Sequence, residues 1–310
     1  MTHEHEDIQL AKIQQVKEAR EEGILELPNV VGLGIGYKEK KGKTTDETCI
    51  SVYVRKKVAA KSLESRQQVP KALDEIKTDV IEVGDIEAQA FTTRLRPAKP
   101  GYSMGHFRIT AGTFGCLVRD ACAPCRIYIL SNNHVLANSN AAVIGDRILQ
   151  QGRVDGGSVA RDTIARLARF VRIRFNDPAA HNLVDAAIAQ PIDLRDVTAS
   201  IVGLGIPKGT VEATLGMVVT KSGRTTETTT GRVIGVDATI AVGYGASGTA
   251  YFRNQILTTG MSRGGDSGSL LLERGTGAAT GLLFAGSSRV TVHNNISNVL
   301  MALGVEIVTA

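Results

Sequence analysis

A glycine-rich segment near the C-terminus contains the side chain best suited to nucleophilic chemistry. It reads Arg-Gly-Gly-Asp-Ser-Gly-Ser over residues 263–269 and is followed at once by the apolar run Leu270–Leu272. A serine flanked by glycines in a tight turn presents its hydroxyl. The main-chain N–H groups of Gly265 and Ser267 are then free to converge on the oxyanion of an acyl transfer. The same composition is typical of an ordinary turn, so the nucleophile hypothesis for Ser267 needs support from other segments.

Two further segments supply the partners that a serine nucleophile requires. His134 follows the apolar strand Ile129–Ser131, and imidazole is the usual base for a serine hydroxyl. Asp185 lies in the otherwise apolar run Val184–Ala189, where a buried carboxylate needs a partner such as an imidazole N–H. The alternatives are a packed or surface histidine and a turn or capping aspartate. The rival histidines lack a comparable context: His106, His181 and His293.

The order of these residues along the chain, His134 then Asp185 then Ser267, resembles that of the chymotrypsin-like serine proteases. The likeness covers about residues 110–300 and includes the glycine-bounded strand Gly112–Val118, which looks like the one before the histidine strand in bacterial members. Within that family, the sequence looks closest to cytoplasmic bacterial proteins akin to the plant narrow-leaf serine proteases.

The resemblance implies a mainly β fold, a chymotrypsin-like double β-barrel with the site in the cleft between the barrels. It also implies that Ser267 attacks a peptide carbonyl while His134 takes its proton and Asp185 orients His134. The N–H groups of Gly265 and Ser267 then hold the oxyanion, and an acyl-enzyme forms and is hydrolysed. The expected partner is a polypeptide substrate, and no cofactor or metal is expected.

The sequence departs from the trypsin-like pattern at the substrate pocket. In trypsin-like members an acid six positions before the nucleophile selects Arg or Lys, and here that position is Met261. We therefore expect an uncharged P1 side chain. The stretch that matches the family's substrate strand contains Phe284 and Gly286 but no tryptophan. Met261, Phe284 and Gly286 are the candidate pocket residues.

Two other features bear on activation and redox state. Zymogen members of the family pair a freed N-terminus with the aspartate before the serine, here Asp266, and residues 108–112 faintly resemble an activation site. Cys122 and Cys125 fall at the predicted tip of a hairpin, with Cys116 nearby. Three thiols without a second pair make a weak zinc site, and a pair of reduced thiols is the favoured interpretation.

The composition of the chain changes near residue 100, which separates a front part from the part that contains these residues. Residues 1–104 contain 12 Lys and 5 Arg against 17 acidic side chains, whereas residues 105–310 contain 2 Lys and 17 Arg against 14 acidic ones. This shift, beside the Pro-rich segment 96–101, predicts a domain boundary. We expect an N-terminal helix over 1–23, a small α+β domain over 24–96, a linker over 97–109 and a chymotrypsin-like domain over 110–310.

Hydrophobic periodicity gives a first assignment of elements. In the front domain we expect a helix over 6–22, strands over 30–37 and 48–55, a turn at 40–43, a helical stretch over 71–76 and a strand over 79–83. The rear domain is expected to contain short strands, among them 114–118, 127–131, 147–150, 168–175, 184–189, 217–222, 231–236, 240–242, 255–258, 270–272 and 281–285.

Composition excludes several classes of protein. The chain has 310 residues, of which 43% are hydrophobic and 22% charged, so a sizeable core is expected. The mild net charge of +5 and the absence of tryptophan disfavour a nucleic-acid binder. The arginines between Arg161 and Arg174 are interpreted as a solvated face. No apolar stretch is long enough to span a membrane, and residues 1–30 lack the apolar core of a signal peptide, so a cytoplasmic location is expected.

Three functions remain open at this point. They are a serine endopeptidase, a serine esterase, and a binding or scaffold protein that keeps the protease fold without turnover. The G-x-S-x-G motif of α/β-hydrolases is absent, since Ser269 stands where its second glycine would be. A homo-oligomer that shields the cleft is expected, because a cytoplasmic protease must be restrained.

Overall fold

The computed structural model describes residues 2–40, 43–84, 91–122 and 125–309, with side chains from residue 8 onward. The chain divides into two compact units, Met1–Gln89 and Ala90–Ala310. Within the described residues, no helix combines the length and the apolar character that crossing a bilayer requires.

The first unit packs one helix against a four-stranded sheet. Its elements are α1 (Thr2–Leu25), β1 (Val30–Lys40), β2 (Lys43–Val54), β3 (Ala72–Leu73) and β4 (Ile76–Glu82). The strand order is β1-β2-β4-β3, with β1 antiparallel and β4 parallel to β2. Ile13 and Ile24 of α1 are buried with Ile50 and Val52 of β2, which removes the apolar faces of helix and sheet from water. The predicted helix and the first two strands are therefore present: α1 is longer at both ends, β1 continues to Lys40, and β2 begins earlier, at Lys43.

The segment 71–76, predicted to be helical, forms a hairpin instead. Leu73 pairs with Ile76 across the two-residue turn made by Asp74 and Glu75. Asp74 has a φ of 51°, a conformation that aspartate tolerates in tight turns. Because Leu73 is buried against the helix and sheet, packing overrides the local helical tendency. The turn predicted at 40–43 includes residues 41–42, which lie outside the described residues.

Residues 97–109, predicted to be a linker, belong to the second unit. Ala98 and Met104 are fully buried, and the Ala98 N–H donates to the carbonyl oxygen of Asp196 at 2.6 Å. The prolines and glycines of this segment make turns between parts of one core rather than a spacer between domains. The second unit therefore begins before residue 110.

The second unit combines an eight-stranded sheet with a closed six-stranded barrel. Its first elements are β5 (Ser103–His106), β6 (Gly112–Thr113), β7 (Cys116–Asp120), β8 (Ile127–Ser131), α2 (Asn133–Leu136), β9 (Arg147–Leu149), α3 (Val159–Asp162), β10 (Thr163–Phe170) and β11 (Ala187–Pro191). The barrel strands are β12 (Val218–Gly223), β13 (Glu227–Gly243), β14 (Thr249–Thr259), β15 (Leu270–Glu273), β16 (Ala279–Gly286) and β17 (Val290–Asn295). The last elements are α4 (Ile296–Leu303) and β18 (Val305–Ile307).

The chain order of the strands is rearranged in space. The sheet has the order β18-β7-β8-β11-β10-β9-β5-β6, and the barrel closes as β12-β13-β14-β17-β16-β15. Leu130 and Ile188 of the sheet are buried in one cluster with Leu270 and Leu282 of the barrel. This shared core fixes the sheet against the barrel, and the fold agrees with the predicted mainly β class.

Two predicted strands are displaced along the sequence. The strand expected at 168–175 is observed as β10, because its pairing with β9 begins at Thr163. The strand expected at 184–189 is observed as β11, so Asp185 lies just before it rather than inside it. The predicted alternation still holds after β10, where Arg172 and Arg174 are exposed and Ile173 is buried. The short elements β5, β6, α2 and α3 and the C-terminal elements β17, α4 and β18 were not among the expected elements.

His293 is a buried titratable group in the barrel. It lies on β17 with no exposed surface, and its Nε2 is 3.0 Å from the Thr258 hydroxyl. Burial, together with the positive charge of Lys221, lowers the pKa of His293 to about 3. The folded protein therefore holds this imidazole neutral at pH values where an unfolded histidine, with a pKa of about 6.5, becomes protonated.

We expect His293 to make the stability of the protein fall in acid. Between about pH 6.5 and the folded pKa, the unfolded state binds a proton that the folded state does not, so the unfolding free energy decreases as pH falls. In this window His293 makes the unfolding free energy change by up to about 1.4 kcal/mol per pH unit. Urea unfolding measured from pH 7 to pH 4 should give a shallower pH dependence for His293→Gln than for the wild type. The exposed His181 offers a matched control, since His181→Gln should leave the dependence unchanged; equal slopes for His293→Gln and wild type would contradict the expectation.

Candidate active site

His134 is positioned by a strand end fixed through buried asparagines. β8 ends at Ser131, and α2 begins at Asn133. The Asn132 side chain donates to the Asp185 carbonyl oxygen at 2.8 Å, and the Asn133 side chain donates to the Val171 carbonyl oxygen at 2.7 Å. Both asparagines are fully buried, so these hydrogen bonds satisfy main-chain acceptors that water cannot reach. They hold the turn that carries His134.

The structure brings Asp185 into direct contact with His134. The Asp185 carboxylate has no exposed surface, and its Oδ2 is 2.5 Å from Nδ1 of His134. The His134 main-chain N–H donates to Oδ1 at 3.2 Å. The Asp185 main-chain N–H donates to Oδ1 of Asn294 at 3.0 Å. A buried carboxylate is costly unless donors surround it, and here one histidine supplies two of the donors.

Tyr244 supplies a third donor, which the sequence analysis did not identify. Its hydroxyl donates to Oδ2 of Asp185 at 2.7 Å. Its ring lies edge-on to the His134 imidazole, with 5.9 Å between the ring centroids, and also contacts Phe175 and Phe252. Tyr244 follows β13, at the tip of the hairpin that β13 forms with β14. The Asp185 carboxylate and the His134 ring are thus held from the barrel as well as from the sheet.

The Tyr244 phenol is a permanent donor in this position. Burial raises its pKa well above the usual value of a tyrosine, and the neighbouring Asp185 carboxylate raises it further. The hydroxyl therefore stays protonated at pH values near neutrality and donates a hydrogen bond to the Asp185 carboxylate. The sequence around Tyr244 carries no motif that signals this contact with Asp185, which forms only when the hairpin packs against the sheet.

Ser267 lies in a turn that only glycines can flank. Gly265 and Gly268 have φ values of 99° and 97°, in the left-handed region that side chains disfavour. A Cβ on Gly268 would also collide with the Ser131 hydroxyl and the Thr113 carbonyl oxygen. The Ser267 Oγ donates a long hydrogen bond of 3.4 Å to the Phe284 carbonyl oxygen. Among the described residues it makes no hydrogen bond to His134.

The main-chain N–H groups of Gly265 and Ser267 are both free. Neither donates a hydrogen bond within the part of the chain that the structure describes. The carbonyl oxygens beside them are occupied: that of Gly264 accepts from Thr225 Oγ1 at 2.8 Å, and that of Gly265 accepts from Thr113 Oγ1 at 2.9 Å. The turn is therefore held by its carbonyl groups while two N–H donors stay available to a ligand.

Asp266 is fixed by a buried ion pair within the chain. Its carboxylate lies 3.3 Å from Nζ of Lys221, and both side chains have no exposed surface. Burial lowers the pKa of Lys221, and the Asp266 carboxylate opposes that change. The main-chain N–H groups of Thr225 and Thr226 also donate to Asp266, at 2.8 and 3.1 Å. Lys221 was missed from the sequence, although it is one of only two lysines after residue 104.

This arrangement changes the interpretation of the activation segment. The aspartate that a freed N-terminus would pair with already has an ammonium partner on β12. Gly112, the last residue of the suspected activation site, forms β6 together with Thr113; β6 pairs with β5, and both residues are buried. The predicted resemblance of residues 108–112 to an activation site therefore has no support in the structure.

A cavity of about 430 Å³ adjoins the His134 side chain. It is lined by Ile109, His134, Asn138, Ser139, Val242, Gly243, Tyr244, Gly245, Phe284, Ala285 and Gly286. None of these residues has a carboxylate. Two of the predicted pocket residues, Phe284 and Gly286, therefore lie along the cavity. Since Ser267 bonds to the Phe284 carbonyl group, the serine lies next to the same wall.

Met261, the third predicted pocket residue, is not part of this cavity. Its side chain is 4% exposed and packs in the barrel with Val219, Val233 and Leu271. Its main-chain N–H and carbonyl group are also held, by the hydroxyls of Thr291 and Thr229 at 3.0 and 2.8 Å. Met261 is therefore a core residue, which corrects its assignment as a pocket residue.

The other candidate groups lie in different environments. His106 is buried with its Nε2 3.1 Å from Asp146, and His181 is exposed. Cys122 and Cys125 are exposed free thiols, and residues 123–124 between them lie outside the described residues. Cys116 is buried in β7, where burial raises the pKa of its thiol far above the usual range, so it is a neutral core residue.

Comparison with known proteins gives separate findings for different parts of the chain. Residues 11–83 match the family model described as NARROW LEAF 1 N-terminal domain. A search of curated proteins finds no match.

Solved protease structures are similar to most of the chain. The Nocardiopsis protease NAPase superposes with a TM-score of 0.50 at 18% identity, over 68% of this chain and 98% of that chain. Protease A of Thermobifida fusca gives a TM-score of 0.49 at 19% identity, over 68% and 98%. Cellulomonas bogoriensis chymotrypsin gives 0.48 at 19% identity, again over 68% and 98%.

The predicted resemblance is therefore confirmed at the level of fold. The likeness to the Nocardiopsis protease shows that the chain contains a chymotrypsin-like serine protease fold. The match over residues 11–83 agrees with the predicted likeness to the plant narrow-leaf serine proteases.

Proposed function

We propose that the chain is a serine endopeptidase in which Ser267 is the nucleophile, His134 the general base and Asp185 the residue that orients His134. The observation that carries this proposal is the 2.5 Å contact between His134 Nδ1 and the buried Asp185 carboxylate. A serine turn with two free N–H donors adjoins the same cavity wall. Base, orienting group, nucleophile and oxyanion donors are the parts that acyl transfer to a serine requires.

The chemistry begins with a proton transfer from Ser267 to His134. Because Nδ1 of His134 is engaged by Asp185, the Nε2 atom is the one available as a base. The Ser267 hydroxyl exchanges its long hydrogen bond to the Phe284 carbonyl oxygen for one to Nε2 when substrate enters. Catalytic hydrogen bonds are often long in the absence of substrate and shorten in the complex. The deprotonated Oγ then attacks the carbonyl carbon of the scissile peptide.

The attack places a negative charge on the former carbonyl oxygen. The N–H groups of Gly265 and Ser267 donate to that oxygen, and donors already fixed in place stabilise it without reorganisation. His134 next gives its proton to the leaving amine, and the acyl-enzyme remains on Ser267. Water, activated by the same imidazole, hydrolyses the ester and restores the serine.

We propose an uncharged P1 preference for this site. The cavity beside His134 is lined by no carboxylate, and Met261, six residues before Ser267, is a neutral residue of the barrel core that brings no charge to the cavity. A cationic P1 side chain would therefore lose its hydration without gaining a charged partner. Apolar wall residues such as Phe284 favour an apolar or small side chain.

A binding or scaffold protein without turnover is the second candidate function. The observation that favours it is the hydrogen bond of Ser267 to the Phe284 carbonyl oxygen rather than to His134. A serine held there permanently would not be activated, whatever the geometry of His134 and Asp185. A serine esterase differs from the main proposal only in its substrate.

Fluorophosphonate labelling of the purified protein tests for an activated nucleophile. We expect one covalent adduct, mapped by mass spectrometry to Ser267 and absent from Ser267→Ala. The neighbouring Ser269 is a suitable control site, because its hydroxyl donates to the Asp266 carbonyl oxygen at 2.6 Å within the core. Absence of labelling in correctly folded wild-type protein would favour the binding function.

Removal of the Tyr244 hydroxyl should weaken catalysis without removing it. We expect Tyr244→Phe to lower kcat/KM about tenfold, mainly through kcat, because the Asp185 carboxylate loses one of its donors and orients His134 less firmly. Tyr251→Phe, on the same hairpin, is the matched control and should keep wild-type rates. Steady-state kinetics on a cleaved peptide, with thermal unfolding of each variant, measures the effect. Unchanged kcat in Tyr244→Phe would show that the third donor is dispensable.

Peptide substrates that differ only at P1 test the specificity. We expect kcat/KM to be higher for Leu or Ala at P1 than for Arg, and higher for peptides than for matched esters relative to their uncatalysed rates. Faster cleavage after Arg would contradict the proposed preference. Turnover of esters alone would favour the esterase.

A further inference from the structure

A second cavity belongs to the first unit, and its lining contains none of the residues with a proposed catalytic role. It has a volume of about 860 Å³, in the range of pockets that bind ligands. It lies between the sheet and the connection from β2 to β3. Its apolar walls come from Val30, Val54, Val58, Leu63, Val69 and Val80. The Val58 side chain, for example, is 43% exposed, so the cavity presents apolar surface to solvent.

The rim of this cavity is strongly basic. Its lining includes a single carboxylate, Asp79, against the lysines Lys38, Lys56, Lys57, Lys71 and Lys77. Lys77 is paired with Glu47, and Lys38 donates to the Thr78 carbonyl oxygen. The other three ammonium groups have no carboxylate within 4.0 Å among the described residues. Because residues 1–104 are neutral overall, this excess of positive charge is a local feature that attracts an anionic ligand.

The cavity also adjoins an edge of β4 that has no strand partner among the described strands. β3 pairs with β4 only through Ala72–Lys77 and Leu73–Ile76. From Asp79 to Glu82, β4 has a strand partner on one side, β2, and none on the other within the described residues. Val80, in the middle of this free edge, is also a wall of the cavity. A free edge beside an apolar cavity is the setting in which an extended peptide adds as a further strand.

Apolar walls, unpaired lysines and a free strand edge together indicate one kind of ligand. An extended peptide would pair its main chain with β4 over about four residues, direct aliphatic side chains into the cavity and present carboxylates to the lysines. A long-chain carboxylate would use the walls but only one or two lysines, and leave the strand edge unpaired. We propose that the first unit binds a peptide segment of alternating aliphatic and acidic residues along β4. This inference holds whether or not Ser267 is a nucleophile.

Fluorescence anisotropy with the full-length Ser267→Ala protein tests the proposal without cleavage of the probe. The probe is a fluorescein-labelled peptide of alternating leucine and glutamate. We expect it to bind, and to bind at least about tenfold more weakly to the double variant Lys56→Glu, Lys71→Glu. A matched peptide of alternating leucine and lysine should not bind. Lys61→Glu is the control, because Lys61 is an exposed lysine of the same connection that does not line the cavity.

Hydrogen exchange distinguishes strand addition from occupation of the cavity alone. Addition of the peptide should slow amide exchange in residues 79–82 of β4, whereas oleate, which has no amide groups, should not. Equal binding by wild type and the double variant would overturn the proposal. So would peptide binding without slower exchange in β4, or binding of oleate in place of the peptide.

Discussion

The second unit depends on the burial of one carboxylate. Asp185 has no exposed surface, and its two oxygens receive three donors: the His134 ring, the His134 main-chain N–H and the Tyr244 hydroxyl. These donors come from the end of β8 and from the tip of the β13–β14 hairpin. Because an uncompensated buried charge costs several kcal/mol, sheet and barrel must meet in one geometry to satisfy it. The same requirement fixes the orientation of the imidazole.

The turn that carries Ser267 contains a second buried carboxylate, that of Asp266, which also needs donors around it. Asp266 separates the two free N–H groups, and its carboxylate is held by Lys221 and by the main chain of Thr225 and Thr226. The Asp266 carboxylate and the carbonyl oxygens of Gly264 and Gly265 are therefore paired, whereas the N–H groups of Gly265 and Ser267 have no acceptor among the described residues. A buried ion pair contributes little net stability, but with the N–H donors of Thr225 and Thr226 it restrains the turn around Asp266. The geometry at Ser267 thus depends on the fully buried side chains of Asp266 and Lys221.

Local sequence patterns and their order along the chain marked three segments of the candidate site. His134, Asp185 and Ser267 each follow or precede an apolar run, so their segments carried a signal, and the α+β and mainly β classes followed from periodicity. Tyr244 and Lys221 were missed because neither lies in a segment with a recognisable motif, and their contacts with Asp185 and Asp266 form only in the folded chain. The helix predicted at 71–76 and the linker predicted at 97–109 were wrong for the same reason. In both segments, burial of side chains (Leu73 in the first, Ala98 and Met104 in the second) determines the structure, and sequence periodicity does not reveal that burial.

The number of residues near the tip of the β13–β14 hairpin determines the direction in which the Tyr244 side chain points. β13 and β14 pair without interruption from Ile240–Phe252 to Gly243–Thr249, directly before the tyrosine. Side chains alternate between the faces of a strand, so one inserted residue in this stretch would turn the phenol to the opposite face. Two inserted residues would restore the face but move the hydroxyl by about 7 Å. The hairpin can therefore vary in composition over its exposed length, including Ile234 and Val236, but its length near the tip is fixed by the Asp185 carboxylate, which lies just before β11.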